Sequence, residues 1–392
     1  MLKLHSTFNC KVPLIHWLKN NSKRKPSSVP VPKKFTKDHP EINSLLTLGE
    51  PIVDITSQIN EIFIQKYHLK LGAHVLVDEK ENDYSKEVFQ ALESRPEVGY
   101  IPGGSAQNTI RVIAWCLNME QARRKQFKVS MLGALGDDIY QKKITNSLKE
   151  IGVNPILQKI KGDSTSRCGV GVYKKEKLFI SQLRASKRLS EEFIEENKDS
   201  IFCHQAVLIE GYMIKILFNI CKKIVDVFKN QQKLIILSLS ATFIVKFHYQ
   251  KLIEIANDAD IISGNMEEAI ELAEHKGKTI QDIFENIFKK LKPKDNRLLL
   301  VTDGPHGVYT GTFNYATQRI ENFRTFYPPK VKDEEIQDLN GAGDAFLGGF
   351  LSQYMKGYSI EDCCKIGIDA ATVVIKNVGC TFPKDTNLLY EN

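Results

Sequence analysis

The sequence predicts an α/β protein whose mostly parallel sheet is covered by helices on both faces. From about residue 205 onward, apolar strands such as 206–211 and 233–238 alternate with helical segments such as 214–229. The strands are unbroken apolar runs, which is typical of strands buried on both faces. A loop of small residues at 338–344 then leads into an apolar helical run, an arrangement that suits anion binding at a helix N-terminus.

The composition is that of a globular protein. Of the 392 residues, 42% are hydrophobic and 26% are charged, and the length suits one large α/β domain or two smaller ones. The most apolar stretch, 201–221, is interrupted by Glu210 and Lys215, so we expect no membrane partner. The eight cysteines show no Cys-x-x-Cys spacing, which leaves zinc and redox chemistry without support.

Residues 1–43 are expected to be a basic, disordered extension. Residues 1–37 hold nine lysines and arginines but no acid, and prolines break any long helix. Since the net charge is +7, residues 38–392 sum to −2, and nothing predicts a nucleic-acid partner. The extension could be an organelle transit segment or a plain basic tail. We expect a cytoplasmic protein, with a nuclear location as the alternative.

Two early loops offer polar groups to a ligand. After a first short strand and a tight turn, Asp54 is the lone acid in an apolar run. At the carboxyl end of a first strand Asp54 could bind a ligand hydroxyl, or it could simply form a turn. Further on, Gly103 and Gly104 allow close backbone approach before a helix that begins with Ser105 and Asn108. Ser105 could equally be a helix cap that needs no ligand.

The middle of the chain predicts a β-hairpin apart from the main sheet. Residues 168–173 and 177–181 are strand-like and are separated by a charged turn. The hairpin follows a strand and turn at 129–138 and a helix at 142–148. We expect it to belong to a second, smaller sheet.

The second half of the chain continues the alternation of strands and helices. In order, we expect a helix at 244–256, a strand at 261–263, helices at 265–274 and 278–291, a strand at 297–302, a hairpin region at 306–331 and a helix at 360–376. Ligands of parallel sheets bind at the carboxyl ends of the strands. The turns at Tyr212, Asn265 and Thr302 follow strands and should therefore meet at that edge.

The loop 338–344 carries the most specific chemistry. The amides of Gly341, Ala342 and Gly343 would surround an anion, and the helix dipole adds positive potential. Asp344 would repel that anion, so its carboxylate is better suited to accept a proton. An anion site with a built-in base is what phosphoryl transfer to a hydroxyl requires.

Asn265 and Glu268 are spaced to share one face of a helix that directly follows a strand. An amide and a carboxylate there could hold hydrated Mg²⁺ near triphosphate oxygens. On spacing alone, a helix cap with a solvated glutamate is the stronger interpretation.

Together these motifs resemble the ribokinase-like (PfkB) carbohydrate and nucleoside kinases, and within that family the adenosine kinases. The stretch 338–350 is close to the second signature of the family, and Asn265 and Glu268 match its N-x-x-E motif. The loops 103–108 and 379–383 are similar to those of the adenosine kinases. The resemblance covers roughly residues 46–385 in one consistent order.

The resemblance implies a ribokinase-like three-layer sandwich with a mostly parallel central sheet and a small β-sheet lid. The kinase domain would span residues 44–392. Its lid segments would lie near 55–75, 98–104 and 155–182.

The resemblance also implies a role for each candidate residue. Asp344 would take the proton of the ribose 5′-hydroxyl, with the amides of Gly341, Ala342 and Gly343 as the anion hole. The residues expected to bind adenosine are Asp54, Gly103, Gly104, Ser105, Asn108 and Tyr212, whose ring would stack on the adenine. The residues expected at ATP and hydrated Mg²⁺ are Asn265, Glu268, Thr302, Gly304 and Asn340. The implied activity is ATP-dependent phosphorylation of adenosine in purine salvage, by a monomer.

Three residues depart from the pattern of the family. Glu50 stands where adenosine kinases usually have asparagine and is more typical of the sugar kinases. Leu339 replaces a usual threonine, and Arg184 lies in a lid strand that is small and apolar in many relatives. Two alternatives stay open, namely another sugar or nucleoside kinase and a non-catalytic nucleoside-binding protein. A dinucleotide-dependent oxidoreductase is disfavoured because no G-x-G-x-x-G follows the first strand.

Overall fold

The computed structural model describes residues 38–72, 74–77, 83–118, 126–174 and 176–383. The expected disorder of residues 1–37 lies outside this part of the chain. Residues 38–43, which the sequence places in the extension, instead pack on the fold. The amide of Ile42 donates to the carbonyl oxygen of Met355 at 2.8 Å, so the domain begins at or before residue 38.

The strands of the described residues follow in chain order. They are β1 (Ser44–Leu48), β2 (Ile52–Gln58), β3 (His74–Leu76), β4 (Gly99–Gly103), β5 (Lys128–Gly136), β6 (Asn154–Ile160), β7 (Ser166–Tyr173), β8 (Glu176–Gln182), β9 (Ala206–Glu210), β10 (Leu234–Ser238), β11 (Ile261–Asn265), β12 (Leu298–Thr302), β13 (Val308–Asn314) and β14 (Arg319–Phe326).

The helices of the described residues are mostly the connections between these strands. They are α1 (Glu61–Lys66), α2 (Asp83–Glu93), α3 (Ser105–Asn118), α4 (Ile139–Glu150), α5 (Glu191–Glu196), α6 (Lys198–Phe202), α7 (Gly211–Ile216), α8 (Phe218–Asn230), α9 (Thr242–Phe247), α10 (Tyr249–Ala256), α11 (Met266–Leu272), α12 (Ile280–Lys290), α13 (Ala342–Met355) and α14 (Ile360–Val374).

The larger sheet contains nine strands in the order β14-β13-β12-β11-β10-β9-β1-β5-β6. Neighbouring strands are parallel from β12 to β6, and β13 and β14 add an antiparallel hairpin at one side. Alternate residues of β9 enter two different cores, since Val207 and Ile209 pack on one face while Leu208 packs on the other. The predicted α/β class and the two covered faces of the sheet are therefore confirmed.

The smaller sheet contains five strands in the order β3-β8-β7-β2-β4. The predicted hairpin is present as β7 and β8, which pair antiparallel. Two expectations need correction. Residues 154–160 form β6 at the edge of the larger sheet, so the first residues of the segment 155–182, expected to be a lid, do not belong to the smaller sheet. Asp54 lies within β2 of the smaller sheet and not at the carboxyl end of the first strand, because the chain crosses between the sheets after β1.

Two helices that the sequence predicts as continuous are broken. The segment 214–229 divides at Leu217, and the segment 244–256 divides at His248; both residues have non-helical backbone angles. On either side of the first break, Ile214 and Ile220 are buried in the same core. Both short helices therefore pack into the same core on one face of the sheet. Among the described residues, no helix is both long enough and apolar enough to cross a bilayer.

Candidate active site

The loop before α13 forms the centre of the site. Gly341 occupies the N-cap in a left-handed conformation, with φ of 79°, which favours glycine. A Cβ at Gly341 would also lie 2.8 Å from the Cβ of Cys380. Within the described chain, the amides of Gly341, Gly343 and Asp344 donate to no protein acceptor, whereas the amide of Ala342, which the sequence assigned to the anion hole, donates to the carbonyl oxygen of Leu339 at 3.3 Å. Free amides at a helix N-terminus point to an anion site at this position.

Asp344 is held by two side chains from the start of α3. The Ser105 hydroxyl donates to Oδ1 of Asp344 at 2.5 Å, and the Asn108 amide nitrogen donates to Oδ2 at 2.9 Å. Burial raises the pKa of Asp344, and these two hydrogen bonds oppose that rise. Each carboxylate oxygen keeps a further lone pair, so the group is oriented and can still accept a proton.

Asp54 faces the same space from the smaller sheet. Its β2 strand pairs with β4, and a Cβ at Gly103 would lie only 2.2 Å from the Asp54 carboxyl carbon. Gly104 follows with φ of 90°, and a Cβ there would lie 2.4 Å from the carbonyl oxygen of Glu50. Glycine is therefore required at position 103 for the close approach of the Asp54 carboxylate, and at position 104 for the close approach of the Glu50 carbonyl group.

The charge around Asp54 is not balanced within the protein. Burial raises its pKa to about 7, the nearby carboxylates of Asp338 and Asp344 add to the rise, and Arg111 and Lys177 oppose it. Hydrogen-bond donors, such as the hydroxyls of a sugar, would stabilise the ionised form of this buried carboxylate.

Lys177 and Asp338 connect the smaller sheet to the loop 338–344 before α13, which we call the anion loop. The Lys177 ammonium of β8 pairs with the buried Asp338 carboxylate. Asp338 also accepts hydrogen bonds from the amides of Asn340 at 3.0 Å and Gly379 at 2.8 Å. The sequence predicted neither residue as functional. The only available signal for Lys177 was its place in a hairpin expected to be a lid.

A cavity of about 50 Å³ lies between the smaller sheet, the start of α3 and the loops at 338–341 and 378–380. Its lining includes Asp54, Asn108, Lys177, Asp338 and Gly341. The predicted ribose-binding and phosphate-binding residues therefore meet around one space. That space is far smaller than the several hundred Å³ of a typical ligand pocket.

Tyr212 lies in the first turn of α7, directly after β9, as predicted. Its ring is half-buried and is 5.9 Å from the ring of Phe243 at an angle of 54°. Burial raises the pKa of the Tyr212 hydroxyl, and nearby carboxylates, among them Glu210 and Asp344, raise it further. The ring thus lies close enough to the acidic cluster to contact a ligand bound there. Phe243 was not predicted.

Asn265 and Glu268 form a capping box at the start of α11. The Asn265 side chain accepts from the Glu268 amide at 2.9 Å, and Glu268 Oε2 accepts from the Asn265 amide at 3.0 Å. The Asn265 amide nitrogen also donates to Glu268 Oε1 at 2.9 Å. The capping interpretation is therefore confirmed. Burial raises the pKa of Glu268 to about 7, and the nearby Asp344 carboxylate adds to the rise. The sequence predicted a solvated glutamate at this cap, whereas Glu268 is buried.

The remaining predicted nucleotide residues lie beside this cap or in the anion loop. Thr302 is the register partner of Asn265 in the adjacent strand, and its hydroxyl lies 3.5 Å from the carbonyl oxygen of Gly264. Gly304 begins a short 3₁₀ turn with φ of 52°. Asn340 is exposed.

The three departures occupy different environments. Glu50 is only 5% exposed, and its Oε1 has no partner. Leu339 is 67% exposed. Arg184 pairs with Asp163 at 3.0 Å at the base of the smaller sheet. Glu50 alone is therefore buried close to the predicted ligand space.

The chain is similar to known proteins over most of its length. The family profile described as pfkB family carbohydrate kinase matches residues 73–387. Adenosine kinase 2 of Arabidopsis thaliana is 29% identical over 348 residues, which are 87% of this chain and 96% of the relative. The adenosine kinase of Dictyostelium discoideum is 28% identical over 345 residues, 86% of this chain and 96% of the relative. The crystal structure of Anopheles gambiae adenosine kinase in complex with P1,P4-di(adenosine-5) tetraphosphate has a TM-score of 0.73 at 27% identity, covering 86% of this chain and 98% of that one.

Proposed function

Because the chain belongs to the pfkB family of carbohydrate kinases, we propose that it transfers a phosphoryl group from ATP to the 5′-hydroxyl of adenosine, giving AMP and ADP. The observation that carries this proposal is the position of Asp344, an oriented carboxylate beside free amides at the N-terminus of α13. The adenosine kinases that match nearly the whole chain support adenosine as the acceptor.

In this mechanism Asp344 accepts the proton of the attacking hydroxyl. Ser105 and Asn108 fix the carboxylate, so little reorganisation is needed as the proton moves. The amides of Gly341 and Gly343 then stabilise the negative charge on the transferring phosphoryl group.

Adenosine would bind between the two sheets. Asp54 accepts hydrogen bonds from the ribose hydroxyls, and Gly103 and Gly104 leave room for the sugar beside that carboxylate. Tyr212, supported by Phe243, offers a ring face on which the adenine can stack.

ATP would approach from the side of α11 and β12. Thr302, Gly304 and Asn340 are the proposed nucleotide contacts, and Asn265 and Glu268 would hold Mg²⁺ through water. The residues fit a hydrated ion, because both Glu268 oxygens already accept one hydrogen bond from Asn265 and retain lone pairs for water. Among the described residues no group of three or more acids, histidines or cysteines could hold a metal directly. Bound Mg²⁺ would neutralise charge on the triphosphate.

The smaller sheet would act as a lid. A space of about 50 Å³ cannot admit a nucleoside, so binding requires this sheet to move away from the larger one and then close again. Closure would exclude water, which otherwise competes as the phosphoryl acceptor.

A panel of acceptors tests the proposed function. Release of ADP from ATP should be measured with adenosine, inosine, ribose and fructose as acceptors. Adenosine should give the highest kcat/KM, and chelation of Mg²⁺ should stop turnover until the ion is restored. Preference for ribose or fructose would favour a sugar kinase, the alternative that Glu50 suggests. Tight binding of adenosine without ADP release would favour a binding protein.

Two further proposals concern the state of the protein in the cell. We propose a monomer, to be checked by light scattering after gel filtration. We also propose a cytoplasmic location, which imaging of tagged proteins with and without residues 1–43 would test. Enrichment of the longer protein in an organelle would instead support a targeting role for the basic extension.

A further inference from the structure

The segment 379–382, close to the end of the described chain, packs directly on the anion loop. The amide of Gly379 donates to the Asp338 carboxylate at 2.8 Å, and a Cβ at Gly341 would lie only 2.8 Å from the Cβ of Cys380. Cys380 also shares a small hydrophobic core with Ala345, in the first turn of α13. The segment therefore contacts the anion loop at its first residue, at its N-cap glycine and directly after its last residue.

Arg111 of α3 holds the same segment from another side. Its Nη1 donates to the carbonyl oxygen of Cys380 at 3.1 Å, and its guanidinium carbon lies 5.3 Å from the centre of the Phe382 ring. That ring also stacks on Trp115 of α3, with the ring centres 4.8 Å apart. Arg111 is only 9% exposed, so both of its contacts are largely shielded from water. Helix α3 thus fixes the backbone and a side chain of the segment 379–382.

Helix α3 also holds the proposed base. Ser105 and Asn108, in its first turn, donate to the two carboxylate oxygens of Asp344. Arg111 follows Asn108 by three residues, which places both side chains on one face of the helix. The helix itself is fixed by fully buried residues such as Ile110. One rigid element is therefore connected to the base directly and to the anion loop through the segment 379–382.

The anion loop has little support of its own. Its N-cap is Gly341, so no side chain caps α13, and a glycine backbone is free to adopt many conformations. Leu339 and Asn340 beside it are exposed. The position of the Gly341 amide must therefore depend on the residues that pack against the loop, among them Cys380.

We propose that Arg111 is a positioning residue that holds the segment 379–382 against the anion loop and thereby keeps the Gly341 amide in place beside the Asp344 carboxylate. The base and the amides that receive the phosphoryl charge are then aligned by the same helix. This inference rests on the proposed roles of Asp344 and of the loop amides.

A second role for Arg111 would give a different kinetic signature. Its positive charge opposes the rise in the pKa of Asp54, the proposed ligand of the ribose hydroxyls. Loss of that effect would weaken the binding of adenosine and raise KM, whereas a displaced anion loop lowers kcat. A change confined to KM would therefore assign Arg111 to Asp54 and overturn the proposal.

Three variants test the role of Arg111 in turnover. Arg111→Met removes the donor and should lower kcat about tenfold, with KM for adenosine changed less than about threefold. Arg111→Lys keeps a donor for the Cys380 carbonyl oxygen, and its kcat should stay within about threefold of the wild type. Arg297→Met is the control, because Arg297 is also buried and donates to backbone carbonyl oxygens, but lies at the amino edge of the larger sheet. The proposal is wrong if Arg111→Met keeps the kcat of the wild type or if Arg111→Lys is equally slow.

Phe382 tests the same contact from the side of the segment. Phe382→Leu removes the ring beside the guanidinium group and should lower kcat about threefold. In the Arg111→Met background it should cost little more, because both residues act through one segment. Losses that multiply would contradict the proposal. If Arg111→Met does not fold, wild-type kcat in Phe382→Leu would overturn it.

Hydrogen exchange tests the contact without any turnover. The amides of Asn340 and Gly379 both donate to the Asp338 carboxylate, so their exchange reports on the join between the segment and the loop. Both should exchange about fivefold faster or more in Arg111→Met, but not in Arg297→Met. If the wild type phosphorylates no acceptor while this acceleration is present, the proposed function fails and the role of Arg111 in holding the loop stands. Unchanged exchange in Arg111→Met would overturn that role.

Discussion

Acidic side chains at the two edges of the larger sheet differ in burial and in their ionic partners. At the amino edge, Asp258 pairs with Lys229 at 2.7 Å, and Asp260 pairs with Lys294 at 2.6 Å. At the carboxyl edge and on the facing strand β2, acids cluster with few cations, and burial raises their pKa values. These acids are Glu50, Asp54, Glu210, Glu268 and Asp344. For Asp54, Glu210 and Glu268 a neighbouring carboxylate adds to the rise. The amino edge satisfies its charges within the protein, whereas the carboxyl edge requires ligand groups to complete it.

Cavity volume alone would select the wrong edge of the larger sheet as the active site. The amino edge contains a cavity of about 950 Å³, lined by residues such as Lys229, Asp258 and Lys294. The space between the smaller sheet and the loop before α13 is about 50 Å³. Yet the larger cavity is lined by acids that already have cationic partners. Unbalanced charge and free helix amides therefore indicate the active site better than volume does.

The largest effect should come from the base at the carboxyl edge. Asp344→Asn keeps the shape of the side chain but cannot accept the proton, so kcat should fall by about 10²-fold or more. Adenosine binding, measured by calorimetry, should be largely retained, because Asp54 and Tyr212 are unchanged. Near-normal turnover in this variant would remove Asp344 from the mechanism.

The amino edge should respond in stability and not in rate. Arg297 is 1% exposed and donates to the carbonyl oxygens of Asn257, Ala259 and Lys292 at 2.6, 3.0 and 2.9 Å. Arg297→Met leaves these buried acceptors without their donor and should lower the free energy of unfolding by about 3 kcal/mol.

Arg324 provides the matched control for that variant. It is an exposed arginine paired with Glu361 at 3.2 Å, and Arg324→Met should cost less than about 1 kcal/mol. Both variants should keep the kcat of the wild type at temperatures where they are folded. A selective loss of kcat in Arg297→Met would show that the two edges are coupled.

Stability at the carboxyl edge should depend on pH in a defined direction. The pKa of Glu210 is about 8 in the folded protein, above its ordinary value of 4.5, so the folded state binds the proton more tightly. The cost of ionising Glu210 is absent below pH 4.5, grows as the pH rises and is complete above pH 8. Glu210→Gln should therefore be more stable than the wild type by about 1–3 kcal/mol above pH 8, and not below pH 4.5. Denaturant titrations across this range would show it; equal stability above pH 8 would mean that Glu210 ionises without cost.

Removing Lys177 should weaken the connection between the smaller sheet and the anion loop. Lys177→Met leaves the buried Asp338 without its cation, so the loop and the lid strand should both lose order. We expect kcat/KM for adenosine to fall about tenfold. Lys159→Met is the control, because Lys159 forms a similar pair with Asp137 at 2.6 Å on the exposed edge strand β6. Equal effects of the two substitutions would mean that the lid contact has no special importance.

The sequence predicts the features that short segments determine. Apolar strands alternating with helices are sufficient for a parallel sheet, and small residues before a helix are sufficient to single out Asp344 as a candidate base. Contacts between distant segments are different. The pairing of Lys177 with Asp338 joins the smaller sheet to the loop before α13, and no local sequence pattern indicates that contact.

Other errors came from patterns that fit two structures equally well. Both β1 and β2 are apolar, so the pattern does not show that the chain changes sheets before Asp54. Likewise, Glu210 only interrupts an apolar run in the sequence. The fold buries Glu210 near Asp344, which the sequence alone does not show.

The smallest effect should come from Leu339, although it lies between two residues of the anion loop. Its side chain is 67% exposed, so it has little packing to lose, and its carbonyl oxygen, not its side chain, accepts a hydrogen bond from Ala342. Leu339→Thr should change kcat less than threefold and the free energy of unfolding by less than about 0.5 kcal/mol. The kcat of Leu339→Thr should be measured by steady-state kinetics in parallel with that of Asp344→Asn, so that the smallest and largest effects can be compared directly. A rise in kcat of tenfold or more would show that a hydroxyl at this position acts in the reaction, and that the carboxyl edge of this chain lacks a donor as well as cations.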